Sequence, residues 1–206
     1  TVYDNGGEGI KLYHWNNWAT DYSLISTNIF DNGDHGFYNE YNDSWSGFNS
    51  SSLQEFIGCN LWGNNGSGIY SNQNISNDNI WSYERASLTN CIIRDNGDHG
   101  VMMVGSITNS LIVGNQSWGV YGSHAPIINS TISTNSSGVY KAGDITNSII
   151  FFNSNSQIDT HQGSVAYSNI MGGYSGEGNI DDNPAFLDYV DYELHPSSPC
   201  IDVGSP

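Results

Sequence analysis

One unit recurs along the chain: an aliphatic residue, Asn three residues later, a short turn, then Gly and a second aliphatic residue. Ile93…Asn96-Gly97-Asp98-His99-Gly100-Val101 shows it in full, and Asp31-Asn32-Gly33-Asp34-His35-Gly36 repeats its core. The aligned asparagines are Asn5, Asn32, Asn64, Asn96, Asn115, Asn135 and Asn153, spaced by 27, 32, 32, 19, 20 and 18 residues. Self-similarity at this period is the mark of a stacked repeat, so it governs every other reading of the chain.

Each repeat holds two short strand signals around a polar turn, as in residues 107–113 followed by Gly119-Val120-Tyr121. Strands this short bury nothing alone; stacked coils, about 4.8 Å apart, bury one face of each. The reading is an all-β, single-stranded solenoid, a parallel β-helix of about 7–8 coils. The recurrent Gly is expected to form a sharp bend, and the recurrent Asn an internal amide ladder from coil to coil. The drop in spacing means that the strands persist while a connection shrinks. Long-loop coils then occupy residues 1–87 and compact coils 88–176. Residues 177–206 hold four of the five prolines and read as a capping segment over the last coil. No stretch sustains helical apolar spacing.

These coils resemble the right-handed parallel β-helix repeat proteins, the pectin-lyase-like superfamily of secreted microbial proteins. The tail strengthens the resemblance. Gly178-Asn-Ile-Asp-Asp-Asn-Pro-Ala-Phe-Leu-Asp188 and Tyr192-Glu-Leu-His-Pro-Ser-Ser-Pro-Cys-Ile-Asp-Val-Gly204 look like the segment that ends many microbial surface β-helices. The resemblance implies a right-handed coil and an extracellular or cell-surface location. It leaves activity open, because the family includes polysaccharide lyases, glycoside hydrolases and adhesins. The hydrolases' paired-Asp, Gly-His-Gly and Arg-Ile-Lys motifs are absent here. The Lys or Arg that lyases place near the abstracted proton has no clear counterpart, since Arg94 and Lys141 have no basic neighbours.

Charge narrows the partners. Twenty-one acids against four Lys and Arg give a net charge of −17. Nucleic acid is excluded for want of a basic footprint, and polyanionic glycans are disfavoured for the same reason. No apolar run approaches the roughly 20 residues that span a bilayer. Cys59 and Cys91 are 32 residues apart and occupy one column with Thr27, Ser110, Ser130 and Ser148. That column is expected to be small and inward, with the two thiols close enough for a disulfide but not obliged to form one.

Three groups of residues could carry function. Asp34-His35 and Asp98-His99 sit at equivalent positions in coils 2 and 4, with Glu8 aligned in coil 1 and Ser67 between the histidines. Stacking puts the histidines roughly 10 Å apart. They are candidates for acid/base or cation chemistry, yet turn propensity alone accounts for the residue types, so no catalytic residue is assigned. The second group is aromatic. Trp15, Trp18, Tyr41, Trp45, Trp81 and Tyr83 fall in the three long insertions, all at one edge, and are candidate ligand-binding residues for a glycan or a protein. Third, Asp181-Asp182 and Asp188…Asp191 could offer oxygen ligands to Ca2+, but match neither an EF-hand nor the Ca2+-binding nonapeptide. No cofactor is assigned.

The functional reading is a non-catalytic extracellular β-helix, structural or adhesive, that binds a polysaccharide through its aromatic loops. The alternative is a carbohydrate-active enzyme or a fragment of one. Coil 1 begins within a strand signal at Val2-Tyr3, so its open face is expected to meet upstream coils or another copy, and the second case would build a filament.

Overall fold

The computed structural model describes residues 1–15, 22–42, 54–73, 86–122, 124–160, 162–202 and 204, with the backbone alone at 13–15, 41–42 and 72–73. Its strands form one sheet of eight and two sheets of seven, and every pairing within them is parallel. Successive strands of the chain pass to successive sheets, so the chain winds through seven complete coils and opens an eighth at Asn169–Ile170. Among the described residues no helix is long and apolar enough to cross a membrane.

The core consists of three apolar stacks, one behind each sheet. Ile29, Leu61, Ile93, Ile112, Ile132, Ile150 and Ile170 lie in register in the first sheet, all fully or nearly fully buried. Phe37, Ile69, Val101, Val120 and Val139 fill the second, and Phe56, Leu88, Ile107, Ile127, Ile145 and Val165 the third. Strand alternation sends these residues inward and their neighbours outward.

Three features refine the sequence reading. First, each coil has three strands rather than two. Residues 107–113 are split into Ser106–Thr108 and Leu111–Val113 by Asn109, whose φ is 49°. Asn90, Asn129 and Asn147 turn the same corner at φ 56°, 50° and 51°, a left-handed conformation that Asn tolerates.

Second, the recurrent Gly has a steric role. The left-handed residue of its turn is the one before the ladder asparagine, for example Asp31 or Asp95. A Cβ on Gly100 would lie 2.6 Å from Ile112 Cγ2, 2.7 Å from Gly119 O and 2.9 Å from Asn115 Nδ2. Glycine is there because the next coil passes too close for a side chain.

Third, the amide ladder is unbroken. Each Asn Nδ2 donates to the next Asn Oδ1, at 2.8, 2.7, 2.9, 2.9, 2.9 and 3.1 Å from Asn5 to Asn153. Gln157 ends it: Asn153 Nδ2 donates to Gln157 Oε1 at 2.8 Å.

The second polar column also forms a ladder. The amides of Cys91, Ser110, Ser130 and Ser148 donate to the hydroxyls of Ser110, Ser130, Ser148 and Ser168 at 3.1–3.2 Å. Cys59 and Cys91 are buried free thiols, directed at the carbonyls of Leu24 and Phe56. The two thiols influence each other, which holds the Cys59 thiol low and pushes the Cys91 thiol up.

The tail runs against the last strand and then along the outside of the first sheet. Ile180 N donates to Ser168 O, and Asn169 Nδ2 to Asp182 O. Farther on, Tyr192 is buried, with its hydroxyl 2.6 Å from Thr134 Oγ1 and its ring edge-on to Phe186.

Candidate functional site: the outer face of the second sheet

The histidine turns and the second sheet form one surface. The turn column runs Glu8, His35, Ser67, His99, Trp118, held in register by amide-to-carbonyl bonds such as Gly36 N to Ser67 O and Gly68 N to His99 O. Three residues on, an outward column runs Lys11, Tyr38, Tyr70, Met102, Tyr121, Tyr140, Asp159. Tyr38, Tyr70, Met102 and Tyr121 each lie six residues after a ladder asparagine, so one repeat position supplies the column.

The rings stack. Tyr38 and Tyr70 are 5.3 Å apart and Tyr121 and Tyr140 are 4.9 Å apart. His35 packs on Tyr70 at 4.5 Å, and His99 on Tyr121 at 4.5 Å, each histidine covering the tyrosine of the next coil. Trp118 leans on Tyr140 at 5.4 Å. Two of the chain's four Lys and Arg residues flank the run of tyrosines: Lys11 Nζ lies 4.8 Å from the centre of the Tyr38 ring, and Lys141 Nζ 5.3 Å from that of Tyr140.

The histidine geometry fixes a tautomer. Ser67 N donates to His35 Nδ1 at 2.9 Å, and Trp118 N donates to His99 Nδ1 at 3.2 Å. A ring that accepts at Nδ1 carries its proton on Nε2, and adding a second proton would abolish that bond. Nε2 faces the neighbouring carboxylate, 3.5 Å from Asp34 Oδ1 and 3.8 Å from Asp98 Oδ1. Burial lowers both histidine pKa values, with the aspartates opposing it. Glu8 is held low by its hydrogen bond from Lys11.

A pH dependence follows. A folded-state pKa below the unfolded value means that the unfolded chain takes up more protons as pH falls through about 6.5. The stability associated with the two neutral rings is complete above that pH and is lost below it. Between about pH 7 and pH 5, melting temperature is expected to fall more steeply for the native chain than for the His35→Gln, His99→Gln variant. Parallel curves would show that these rings are not held neutral.

Glu8, Asp34, His35, Asp98 and His99 therefore share one face. Asp34 and Asp98 are two coils apart, about 10 Å at the strand spacing. Of the aromatic-loop candidates, Trp15 and Tyr41 lie in the strands Ile10–Trp15 and Phe37–Asn42, with their side chains outside the described residues. Trp18, Trp45, Trp81 and Tyr83 lie wholly outside them. The sequence reading missed Tyr38, Tyr70, Tyr121, Tyr140 and Trp118, although the shared six-residue offset of Tyr38, Tyr70 and Tyr121 from a ladder asparagine was there to be used. A shorter stack, Tyr3 on Phe30 at 5.1 Å and Phe30 on Trp62 at 4.3 Å, lines the outside of the first sheet.

The acids proposed for Ca2+ have backbone partners. Asp181 Oδ1 accepts Gly172 N–H, and Asp188 Oδ1 accepts the N–H groups of Val190 and Asp191, which lowers its pKa. Among the described residues no three His, Cys, Asp or Glu converge as a metal site.

No protein-family model matches the sequence, and no curated protein matches it. Among solved structures, the A-module of a mannuronan C-5 epimerase from Azotobacter vinelandii is similar, with 17% identity and a TM-score of 0.49. The match covers 77% of this chain and 47% of the other, so the chain spans about half the length of that module. With no helix among the described residues and three sheets of parallel strands wound coil upon coil, the chain is an all-β parallel β-helix.

Proposed function

We propose that the chain is a non-catalytic, extracellular glycan-binding module whose ligand lies along the aromatic column of the second sheet. The supporting observation is that column itself: Tyr38, Tyr70, Tyr121 and Tyr140 at fixed strand spacings, braced by His35, His99 and Trp118. Rigid, pre-stacked rings lose little conformational entropy when a sugar lies across their edges and hydroxyls. In this reading residues 1–176 are the binding solenoid and 177–206 cap it.

The chemistry around the column suits binding better than turnover. Both histidines use Nδ1 to accept an amide, which leaves Nε2–H as a hydrogen-bond donor rather than a base. Glu8 is engaged by Lys11.

A glycan array, run beside reducing-sugar and unsaturated-uronate assays, tests this reading. Binding without product is expected, and Tyr70→Ala should weaken it about tenfold, the loss of roughly 1.4 kcal/mol of contact. Release of product from any polysaccharide would replace the module by a carbohydrate-active enzyme. Sedimentation at rising concentration tests the filament expectation, which a dispersed monomer removes.

A further inference from the structure

We infer that Asn65-Gly66 is a site of spontaneous covalent modification, where the Asn65 amide is lost through a cyclic imide while the amide ladder holds the equivalent pairs of other coils unreactive.

The dipeptide occurs four times, as Asn5-Gly6, Asn32-Gly33, Asn65-Gly66 and Asn96-Gly97. Its chemistry is intrinsic. The glycine nitrogen attacks the asparagine Cγ and a new C–N bond forms. The bond from Cγ to the side-chain nitrogen breaks, and ammonia leaves with the proton of the glycine amide. Water then opens the five-membered imide at either carbonyl, giving an aspartyl or an isoaspartyl link. The balance is one water taken up and one ammonia released. Glycine favours the attack because no Cβ shields its nitrogen. Two groups must be free to react: the asparagine side chain, which has to turn its Cγ toward the backbone, and the glycine N–H.

The fold sorts the four pairs by these two requirements. Asn32 and Asn96 are buried rungs of the ladder. Asn32 donates to Asn64 Oδ1 at 2.7 Å and accepts from Asn5 Nδ2 at 2.8 Å, and Asn96 donates to Asn115 Oδ1 and accepts from Asn64 Nδ2, both at 2.9 Å. The glycines after them are tied as well, Gly33 N to Asn5 O at 2.7 Å and Gly97 N to Asn64 O at 2.8 Å. Reaction at either pair requires the ladder and a bond between coils to break together.

Asn65 stands one position out of that register. In Asn64-Asn65-Gly66 the first asparagine takes the rung, so Asn65 falls where the other two turns have Gly33 and Gly97. Its side chain is exposed and makes no hydrogen bond to a described residue. The attacking nitrogen, Gly66 N, has to give up one bond, to Asp34 O at 3.1 Å. Asn5 lies between the two cases: it is exposed, but its Nδ2 and N both donate to Asn32 Oδ1, at 2.8 and 3.3 Å.

The reaction bears on the candidate site because the next residue, Ser67, belongs to the turn column and donates its N–H to His35 Nδ1 at 2.9 Å. Either product adds a carboxylate to that turn. The isoaspartyl product also lengthens the backbone by one carbon, where the Asn65 carbonyl packs directly on Gly97 of the next coil.

The experiment is incubation of the folded full chain at mildly alkaline pH, followed by peptide mapping with mass spectrometry, beside a sample held in denaturant. Unfolded, the four pairs are expected to react at similar rates. Folded, a stranded buried partner costs about 1–3 kcal/mol, so Asn65 is expected to react about tenfold or more faster than Asn32 and Asn96, with Asn5 behind it. Asn65→Gln should remove the first acidic species seen on ion exchange and leave Asn32 and Asn96 intact. Modification of Asn5, Asn32 or Asn96 ahead of Asn65 overturns the inference. So does an Asn65 that stays intact in the folded chain while it reacts in denaturant.

Discussion

Asn96→Ala should lower the melting temperature by about 6–12 °C. The Asn96 side chain accepts from Asn64 N at 3.2 Å and Asn64 Nδ2 at 2.9 Å, and donates to Asn115 Oδ1 at 2.9 Å and Leu61 O at 3.3 Å. It is fully buried, so water cannot replace any of these bonds. Truncation leaves donors of Asn64 and the carbonyl of Leu61 short of partners, at about 1–3 kcal/mol for each group stranded. A net loss of about 3 kcal/mol, at roughly 2–4 °C per kcal/mol in a domain of this size, gives the expected shift. Exposed Asn155, which makes one bond to Ser136 Oγ, is the control, and its replacement by Ala should cost about 0.5 kcal/mol or less. Equal melting temperatures for the two variants would show that the ladder does not hold the coils together.

Gly100→Ala should be at least as damaging, at about 4 kcal/mol, although it adds a single methyl group. The added carbon would lie within 3 Å of Ile112 Cγ2, Gly119 O and Asn115 Nδ2, and one of these is backbone. Relief therefore requires the next coil to move, which lengthens rungs of the amide ladder and opens the stack beneath Ile112. Overpacking a well-filled interior usually costs about 1–3 kcal/mol, and here the ladder is strained as well. Gly6→Ala provides the contrast, because nothing lies within 4 Å of its Cβ position. Chemical denaturation of both variants measures the difference. If Gly100→Ala unfolds at the same denaturant concentration as the native chain, the close approach does not constrain the fold.

These two effects also separate what repetition reveals from what it hides. In a stacked coil a given repeat position meets copies of itself, so a residue type that recurs at one offset reports its own contacts. That is why the aliphatic stacks, the asparagine column and the alignment of Glu8, His35, Ser67 and His99 were legible in the sequence. The corner at Asn90, Asn109, Asn129 and Asn147 was less so. Its left-handed asparagines sit inside runs that otherwise look like continuous strands, as in Ile107–Val113.

The sequence by itself determined a solenoid, its period, its inward residues and its acidic surface. All four follow from order along the chain and from strand alternation. The tertiary structure alone decided contacts between different repeat positions in different coils. His35 lies over Tyr70 and His99 over Tyr121. Tyr192 meets Thr134 across 58 residues. Such contacts depend on rotamers and on the offset between coils, which local sequence does not encode. The same holds for the glycine of each turn: its recurrence was visible, but the reason for it, the backbone of the next coil at less than a methyl group's clearance, exists only once the coils are stacked.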